Sequence, residues 1–334
     1  MKTISLFFIL LTIVFNPGFC QQKLRVAFYN TENFFDTIND PNKEDEEYIP
    51  SSELKWGTER YFNKITKIGQ VLDSVGKGNL PSIIGMCEVE SELAVSDLLK
   101  YSSLKREKYK FCISNSPDVR GINVALVYNE SIFKLTKKEE INVSSNEFGD
   151  YKTRNILYVV LETKEKEKFH VFINHWPSRR GGEKESEGKR IYAAKQLRFK
   201  TDSILKSDKK SQIIIMGDFN DHPNDKSIKE VLVGSEKESK LINLFEKEHS
   251  EGRGSHYYEG EWGVLDQIIV STPLIEKSGW YFPKTNYGVY KGNFLLFKNN
   301  KTGEIRPSRT YGGNKYYNGY SDHLPVFIEL EKSK

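Results

Sequence analysis

Apolar and polar positions alternate with two different periods along this chain, and the switches between them lay out its elements. Residues 23–28, Lys-Leu-Arg-Val-Ala-Phe, read as a strand that ends at Tyr29-Asn30. The acidic, proline-containing stretch 36–50 reads as a surface loop. Tyr61, Ile65, Ile68, Leu72 and Val75 then recur at helical spacing, which predicts an amphipathic helix over 56–75 stopped by Gly76 and Gly78. The apolar run 81–87 predicts a second buried strand ending at Glu88. A strand–helix–strand opening of this kind belongs to layered α/β folds. Further strands are predicted over 109–114, 123–128, 156–162, 169–174, 212–216, 266–270 and 325–330. A second long helix is predicted over 185–205, with Ile191, Ala194, Leu197, Thr201 and Ile204 on one side. Polar or glycine-rich connections lie at 178–184 and 311–320. Many strands with few long helices imply two packed sheets with helices outside. No shift in composition marks a second domain, so one domain from about Gln21 to the C-terminus is expected.

Composition narrows the picture only a little. The 334 residues, 37% hydrophobic and 13% aromatic, suffice for a sizeable core. A net charge of +4 excludes a histone-like binder but leaves room for a locally basic cleft, since placement sets the potential. At the N-terminus, Lys2, the apolar stretch Ile4 to Phe15 and the break at Asn16-Pro17-Gly18 form a targeting segment. Gly18 and Cys20 are small residues at the positions a signal peptidase reads. A signal peptide over 1–20, with the mature domain over 21–334, is therefore expected, and with it a periplasmic or secreted location. Lipid attachment at Cys20 is the rival, although Pro17-Gly18-Phe19 matches its lead-in poorly. The apolar run is short for a membrane span. Cys87 and Cys112 lack the paired spacing of a zinc site. Cys87 reads as a small buried hydrophobe, and a Cys87–Cys112 bridge stays open.

Candidate chemistry gathers at strand ends. Met216-Gly-Asp-Phe-Asn220 follows the run 212–215 and delivers Asp218 and Asn220 together. Asp218 can take a proton or a cation, and Asn220 can donate to an oxyanion, a pairing suited to phosphate-ester hydrolysis. Asn30 and Glu88 end two strands expected to be neighbours; a carboxylate beside an amide oxygen suits Mg²⁺ or Mn²⁺, with Ca²⁺ also admissible. Read singly, Asn30 caps a turn and Glu88 precedes a helix near Ser91. His175 follows one strand, and Asp322-His323 precedes the last. Asp266 opens another strand; one carboxylate can fix a histidine tautomer, and two histidines can supply an acid and a base. A lone histidine at a strand end is ordinarily structural, so co-occurrence carries this reading. Arg120 and Arg154 precede strands and suit phosphate recognition, or are solvated loop arginines. Arg179-Arg180-Gly181-Gly182 is a basic loop beside the predicted site, suited to a polyanion and therefore to salt-sensitive binding. His222 and His256 lie in polar turn-like strings and are given no role. There is no GxSxG elbow, Walker loop or HExxH helix.

Taken in order, Asn30-Thr-Glu32, Glu88, His175-Trp-Pro, Gly217-Asp-Phe-Asn220, Leu265-Asp266-Gln267 and Ser321-Asp-His323 resemble the endonuclease/exonuclease/phosphatase superfamily over nearly the whole mature chain. Asn30 to Asp36 and Ser116 to Gly121 look like its secreted bacterial members. The resemblance implies an α/β fold: a four-layered α/β sandwich of two packed mixed β-sheets flanked by helices. It implies that Asn30 and Glu88 hold a divalent cation, with Asp322 near it. His323, oriented by Asp266, would act on the attacking water or the phosphate. Asp218 and Asn220 would position the nucleophile and stabilise the pentacoordinate phosphate. His175 would protonate the leaving oxygen, with Asp118 as its partner. Arg154, and less so Arg120, would contact phosphate; Glu32 falls where the superfamily varies.

The expected activity is an exported Mg²⁺-dependent phosphodiesterase, a nuclease acting on DNA or RNA, monomeric and without a stable protein partner. A phospholipid phosphodiesterase of the sphingomyelinase kind is one alternative, because 279–282 and 292–297 are aromatic stretches able to meet a membrane or to face the core. A small phosphorylated metabolite is another substrate. A non-catalytic binding protein on the same fold is disfavoured, since the polar set is complete.

Overall fold

The computed structural model describes residues 21–234 and 240–333, so the segment 1–20 read as a signal peptide lies outside the described residues. Two sheets carry the architecture. In the first, strand β1 (Lys23–Phe34) leads through helix α1 (Thr58–Gly76) to a parallel neighbour, β2 (Ile83–Val89). Helix α2 (Glu92–Tyr101) follows, started by Ser91, whose hydroxyl accepts the Ala94 N–H at 3.1 Å. Strands β3 (Tyr109–Ile113) and β4 (Asn123–Asn129) complete that side.

The second sheet repeats the theme. After β5 (Phe133–Ile141) and β6 (Ile156–Thr163), strand β7 (Lys168–His175) passes through helix α3 (Glu183–Ser207) to its parallel neighbour β8 (Gln212–Asp218). Short β9 (Leu241–Asn243) and the hairpin of β10 (His256–Tyr258) and β11 (Glu261–Gly263) precede β12 (Asp266–Ser271). The chain then returns to the first sheet through β13 (Trp280–Tyr281) and β14 (Gly288–Val289). It forms two small hairpins, β15 (Leu296–Lys298) with β16 (Ile305–Pro307) and β17 (Tyr311–Gly312) with β18 (Lys315–Tyr316), and ends in β19 (Val326–Lys332). The orders are β13-β19-β1-β2-β4-β3, with β14 also on β19, and β5-β6-β7-β8-β12-β9. Among the described residues only β1–β2 and β7–β8 are parallel, each joined by a helical crossover, and every other pairing is antiparallel.

Side-chain alternation builds the layers. In β8, Ile214 and Met216 face the gap between the sheets, while Ile213 and Ile215 face α3 with Ala194 and Leu197. In β1, Val26 and Phe28 point into the same gap, whereas Tyr29 packs outward with Ile65, Ile68 and Leu72 of α1. The result is the four-layered α/β sandwich, helix–sheet–sheet–helix. Among the described residues, no helix is long and apolar enough to cross a membrane.

Departures from the sequence pattern have local causes. Strand β5 was not legible because Lys134, Lys137, Lys138, Glu139 and Glu140 interrupt any apolar period. It is an edge strand paired only with β6, where charge guards against further pairing. The aromatic stretch Trp280-Tyr281-Phe282 is buried, so it faces the core. In the second stretch Leu295 is buried and, of its apolar residues, Phe297 alone is exposed, under the Arg306 guanidinium at 5.1 Å. Cys87 and Cys112 are both free and buried. Strand β4 lies between theirs, with Cys87 level with Val124 and Cys112 with Leu126, which puts their backbones more than about 9 Å apart, beyond disulfide reach.

Candidate active site

The same alternation that fills the core also places the polar site. Continuing each inward series to the end of its strand gives Asn30 after Phe28, Cys87 after Gly85, His175 after Ile173 and Asp218 after Met216. Asp266 stands at the matching end of β12, before Ile268. Register brings these ends level: Asn30 pairs with Cys87 across the first sheet, and His175–Asp218–Asp266 form one row across the second. Gly217 makes that row possible, because a Cβ there would lie 2.5 Å from both the Cβ and the carbonyl oxygen of Asn174.

Glu88 breaks the alternation. By parity it would point outward, but it adopts the left-handed conformation (φ 59°) at a bulge between β2 and β4. Its carboxylate consequently turns to the site, accepting from Asn33 N–H at 2.8 Å and Asn30 Nδ2 at 3.3 Å. Glu32, Asn33 and Asn220 are also left-handed. Backbone held this way by non-glycine residues clusters where side chains must be re-aimed.

Asp218 is the hub. Its Oδ2 accepts from Asn30 Nδ2 at 3.0 Å and lies 3.8 Å from Nε2 of both His175 and His323. Its Oδ1 accepts the Asn220 N–H at 3.0 Å. Burial pushes Asp218 up to about 6 against the pull of His323. His323 Nδ1 lies 2.7 Å from Asp266 Oδ2, which also accepts from the Ser255 hydroxyl at 2.6 Å. Burial opposes charge on His323, yet Asp266 and Asp218 outweigh it and hold its pKa well above the usual range. His175 goes the other way: burial, then Arg154 and Arg120, hold it well below. The two histidines on one carboxylate thus differ in proton affinity, His323 favouring its charged form and His175 its neutral form.

The other residues singled out from sequence fall as follows. Arg154 is buried, donating to the Trp176 carbonyl at 2.6 Å and lying 3.3 Å from Asp118. It stands beneath His175 and Asn220 Nδ2, which donates to the same carbonyl at 3.0 Å. Arg120 is half-exposed, 3.4 Å from the other oxygen of Asp118, and is the arginine open to a substrate. Asp118 is therefore engaged by arginines, and the buried Nδ1 of His175 has no hydrogen-bond partner among the described residues. Asp322 stands apart with Glu32: Arg309 bridges them at 3.0 and 3.4 Å, and Glu32 accepts the Thr310 N–H at 2.6 Å. Behind them Lys64 is fully buried, donating to Thr310 Oγ1 and the Tyr320 carbonyl. Burial lowers it to about 8 against the pull of Glu32 and Asp322.

Sequence reading passed over four of these residues. Lys64 left a signal, a charge three residues after Tyr61 and four before Ile68 on the apolar helix face. Ser255 and Arg309 left none. His256, given no role, stacks on His323 with ring centroids 4.6 Å apart. It lines a cavity of about 400 Å³ that opens at Asn220, together with His222, Tyr258, Trp262 and Arg180. Arg179, by contrast, is internally neutralised by Glu183, Asp221 and Asp225. The basic loop therefore presents Arg180 alone, exposed and in no ion pair with the described residues.

The donor set fits a divalent cation. Glu88 and Asp218 are separated by one neutral amide, Asn30 Nδ2, while Asn30 Oδ1 accepts only the Glu32 N–H. Buried carboxylate oxygens crowded without a matching number of cations suit a hard ion.

The family model described as the endonuclease/exonuclease/phosphatase family matches residues 25–332. The chain belongs to that family. Membership makes it a metal-dependent phosphoesterase. Among similar solved structures is an endonuclease/exonuclease/phosphatase family protein from Bacteroides thetaiotaomicron, 16% identical, with a TM-score of 0.59 over 95% of this chain and 100% of that one. A mannosyl-6-phosphatase from the same organism is 17% identical, with a TM-score of 0.58 over 92% and 99%. The human Nocturnin catalytic domain is 18% identical, with a TM-score of 0.56 over 94% and 98%. At these identities the likeness concerns the fold. No curated protein sequence matches the chain.

The charge balance of this family site makes stability pH-dependent in a way that metal should cancel. Burial and Asp322 push Glu32 up to about 7, and His323 is raised as described. Both folded pKa values exceed the unfolded ones, so their stabilisation is present at lower pH and lost as pH rises through them. The metal-free protein should therefore melt at a lower temperature at about pH 7.5 than at about pH 6.5. The gain in melting temperature from added divalent metal should be larger at the higher pH, since Asp218, raised to about 6, must give up its proton to hold the cation. A metal-induced gain that does not change with pH would separate the metal from Asp218.

Proposed function

We propose that this enzyme is an exported Mg²⁺-dependent phosphodiesterase that cleaves nucleic acid. The observation that carries the reading is the pair of buried histidines whose Nε2 atoms both lie 3.8 Å from Asp218 Oδ2, one of them fixed at its Nδ1 by Asp266. Cleaving a diester requires one proton to leave the attacking water and another to reach a poorly acidic leaving oxygen, which a histidine on each side can serve. His323, fixed by Asp266, takes the water side; its proton affinity falls once the charge of Asp218 is neutralised. His175 takes the leaving side, where a bound phosphate beside Arg120 would raise its proton affinity. Asn220 retains one side-chain N–H for a phosphoryl oxygen. Glu88, Asp218 and Asn30 would hold the Mg²⁺, which supplies charge neutralisation at the phosphoryl group when bound.

The cavity beside Asn220 supports a substrate with a ring next to the scissile phosphate, since its size suits one such group and His256 and Trp262 offer flat faces. A small phosphorylated sugar is the second reading, favoured by the neutralised Arg179, which leaves little positive surface for a long polyanion. The test offers plasmid DNA, RNA, sphingomyelin liposomes and a hexose phosphate side by side, with Mg²⁺ or EDTA and with His175→Ala as control. Metal-dependent cleavage of nucleic acid, lost in the variant, is the expected result. Turnover of the hexose phosphate or the liposomes alone would overturn the nuclease reading.

A further inference from the structure

Cys87 has no part in the chemistry above, yet it occupies the inward position of β2 level with Asn30. Its Sγ, a ring nitrogen of His175 and a carboxylate oxygen of Asp218 all lie within 4.8 Å of one another. All three side chains are buried, and Nδ1 of His175 is a buried polar atom without a hydrogen-bond partner among the described residues. We propose that Cys87, His175 and Asp218 form a site for a thiophilic divalent cation of the Zn²⁺ class, and that filling it switches the enzyme off.

One thiolate, one imidazole and one carboxylate are a donor set that Zn²⁺ accepts readily, with a fourth position left for water. Bond lengths of about 2.0–2.3 Å place tetrahedral donor atoms roughly 3.3–3.8 Å apart, so side-chain shifts on the order of 1 Å close the site. Mg²⁺ takes oxygen ligands and keeps its waters, so it has no use for the thiol. The two ions thus sort by softness within one pocket: the oxygens of Glu88 and Asn30 on one side, the sulfur of Cys87 on the other. Binding breaks the S–H bond, forms an S–metal bond and releases one proton to solvent, with no change of oxidation state. Occupation withdraws both a ring nitrogen of His175 and an oxygen of Asp218 from the reaction. Asp218 is common to both ions, so excess Mg²⁺ would relieve inhibition only by displacing the thiophilic ion, whereas a Zn²⁺-selective chelator added in the presence of Mg²⁺ would restore activity.

Binding itself is independent of the proposed nuclease activity; only the inhibitory consequence rests on that catalytic reading. The experiment uses the full chain carrying Cys20→Ser and Cys112→Ser, which leaves Cys87 as its sole thiol, titrated with Co²⁺ as a spectroscopic probe. A thiolate-to-cobalt charge-transfer band saturating at one equivalent is expected, absent after Cys87→Ser and after Cys87→Ala. Thermal melts identify a variant that fails to fold. In parallel, Zn²⁺ inhibition of Mg²⁺-supported hydrolysis of bis(p-nitrophenyl) phosphate is measured. Half-inhibition should require at least about tenfold more Zn²⁺ in Cys87→Ser, a difference of about 1.4 kcal/mol in binding. No charge-transfer band, or equal Zn²⁺ inhibition with and without the thiol, overturns the proposal. A band in a protein that hydrolyses nothing supports the site while sinking the catalytic reading.

Discussion

Replacing His323 with alanine should lower kcat by about 10²–10⁴-fold, the range of a positioned acid–base group, while KM moves little. The ring is buried, its Nδ1 is 2.7 Å from Asp266, and its Nε2 faces Asp218. Asp218, 3.8 Å from Nε2, is the nearest other group able to accept a proton, and it is committed to the metal in the proposed mechanism. Asp266→Asn tests the second half of the unit. Asparagine of the same shape can present its amide to Nδ1 and so favour the wrong tautomer, which should cost a loss of similar order. Since the two residues act as one device, the double variant should be little worse than either single one. Multiplicative losses in that cycle would mean that Asp266 works independently of His323. Stability separates structure from chemistry. His323→Ala leaves Asp266 buried with only Ser255 as partner, so it should destabilise, and Asp266→Asn in the same chain should recover part of the loss.

How much of this site the sequence disclosed follows from how each residue is positioned. Asn30, His175, Asp218 and Asp266 were legible because period-2 alternation in buried strands fixes which side the end residue faces. The parallel pairs β1–β2 and β7–β8 put those ends together. Glu88 was legible as a strand-end residue, but its orientation depends on a bulge that alternation cannot forecast. His256 opens a three-residue strand, with Ser255 just before it, whose pairing with β11 and contact with His323 are set by long-range packing. Arg154 looked like a free phosphate contact because loop arginines next to strands carry no mark of burial. Its engagement by Asp118 and the Trp176 carbonyl draws on segments far apart in the chain. The helix over 185–205 and the strand over 212–216 emerged nearly intact for the opposite reason: their signals are local. Edge strand β5 and the small hairpins between residues 296 and 316 emerged least, because so few of their residues are buried that no alternation is left to read.

Glu88→Gln should raise the Mg²⁺ concentration for half-maximal activity by at least about tenfold, a loss of about 1.4 kcal/mol in ion binding. The argument is one of charge with shape held constant. Glutamine can still accept the Asn33 N–H that Glu88 Oε2 accepts at 2.8 Å, so the bulge and its left-handed backbone have no reason to relax. What disappears is one of the two carboxylates that share Asn30 Nδ2, leaving Asp218 as the sole anion beside that amide. Metal-free Glu88→Gln should consequently melt at or above the wild-type temperature, since like charges in a buried cluster repel. The rise in melting temperature at a fixed Mg²⁺ concentration should shrink, because stabilisation by a ligand scales with the logarithm of its occupancy ratio. These two shifts have opposite signs, which a general loss of stability could not produce. An unchanged Mg²⁺ titration would remove Glu88 from the metal site and leave Asp218 with the Glu32–Asp322 pair as the remaining carboxylates able to hold the ion.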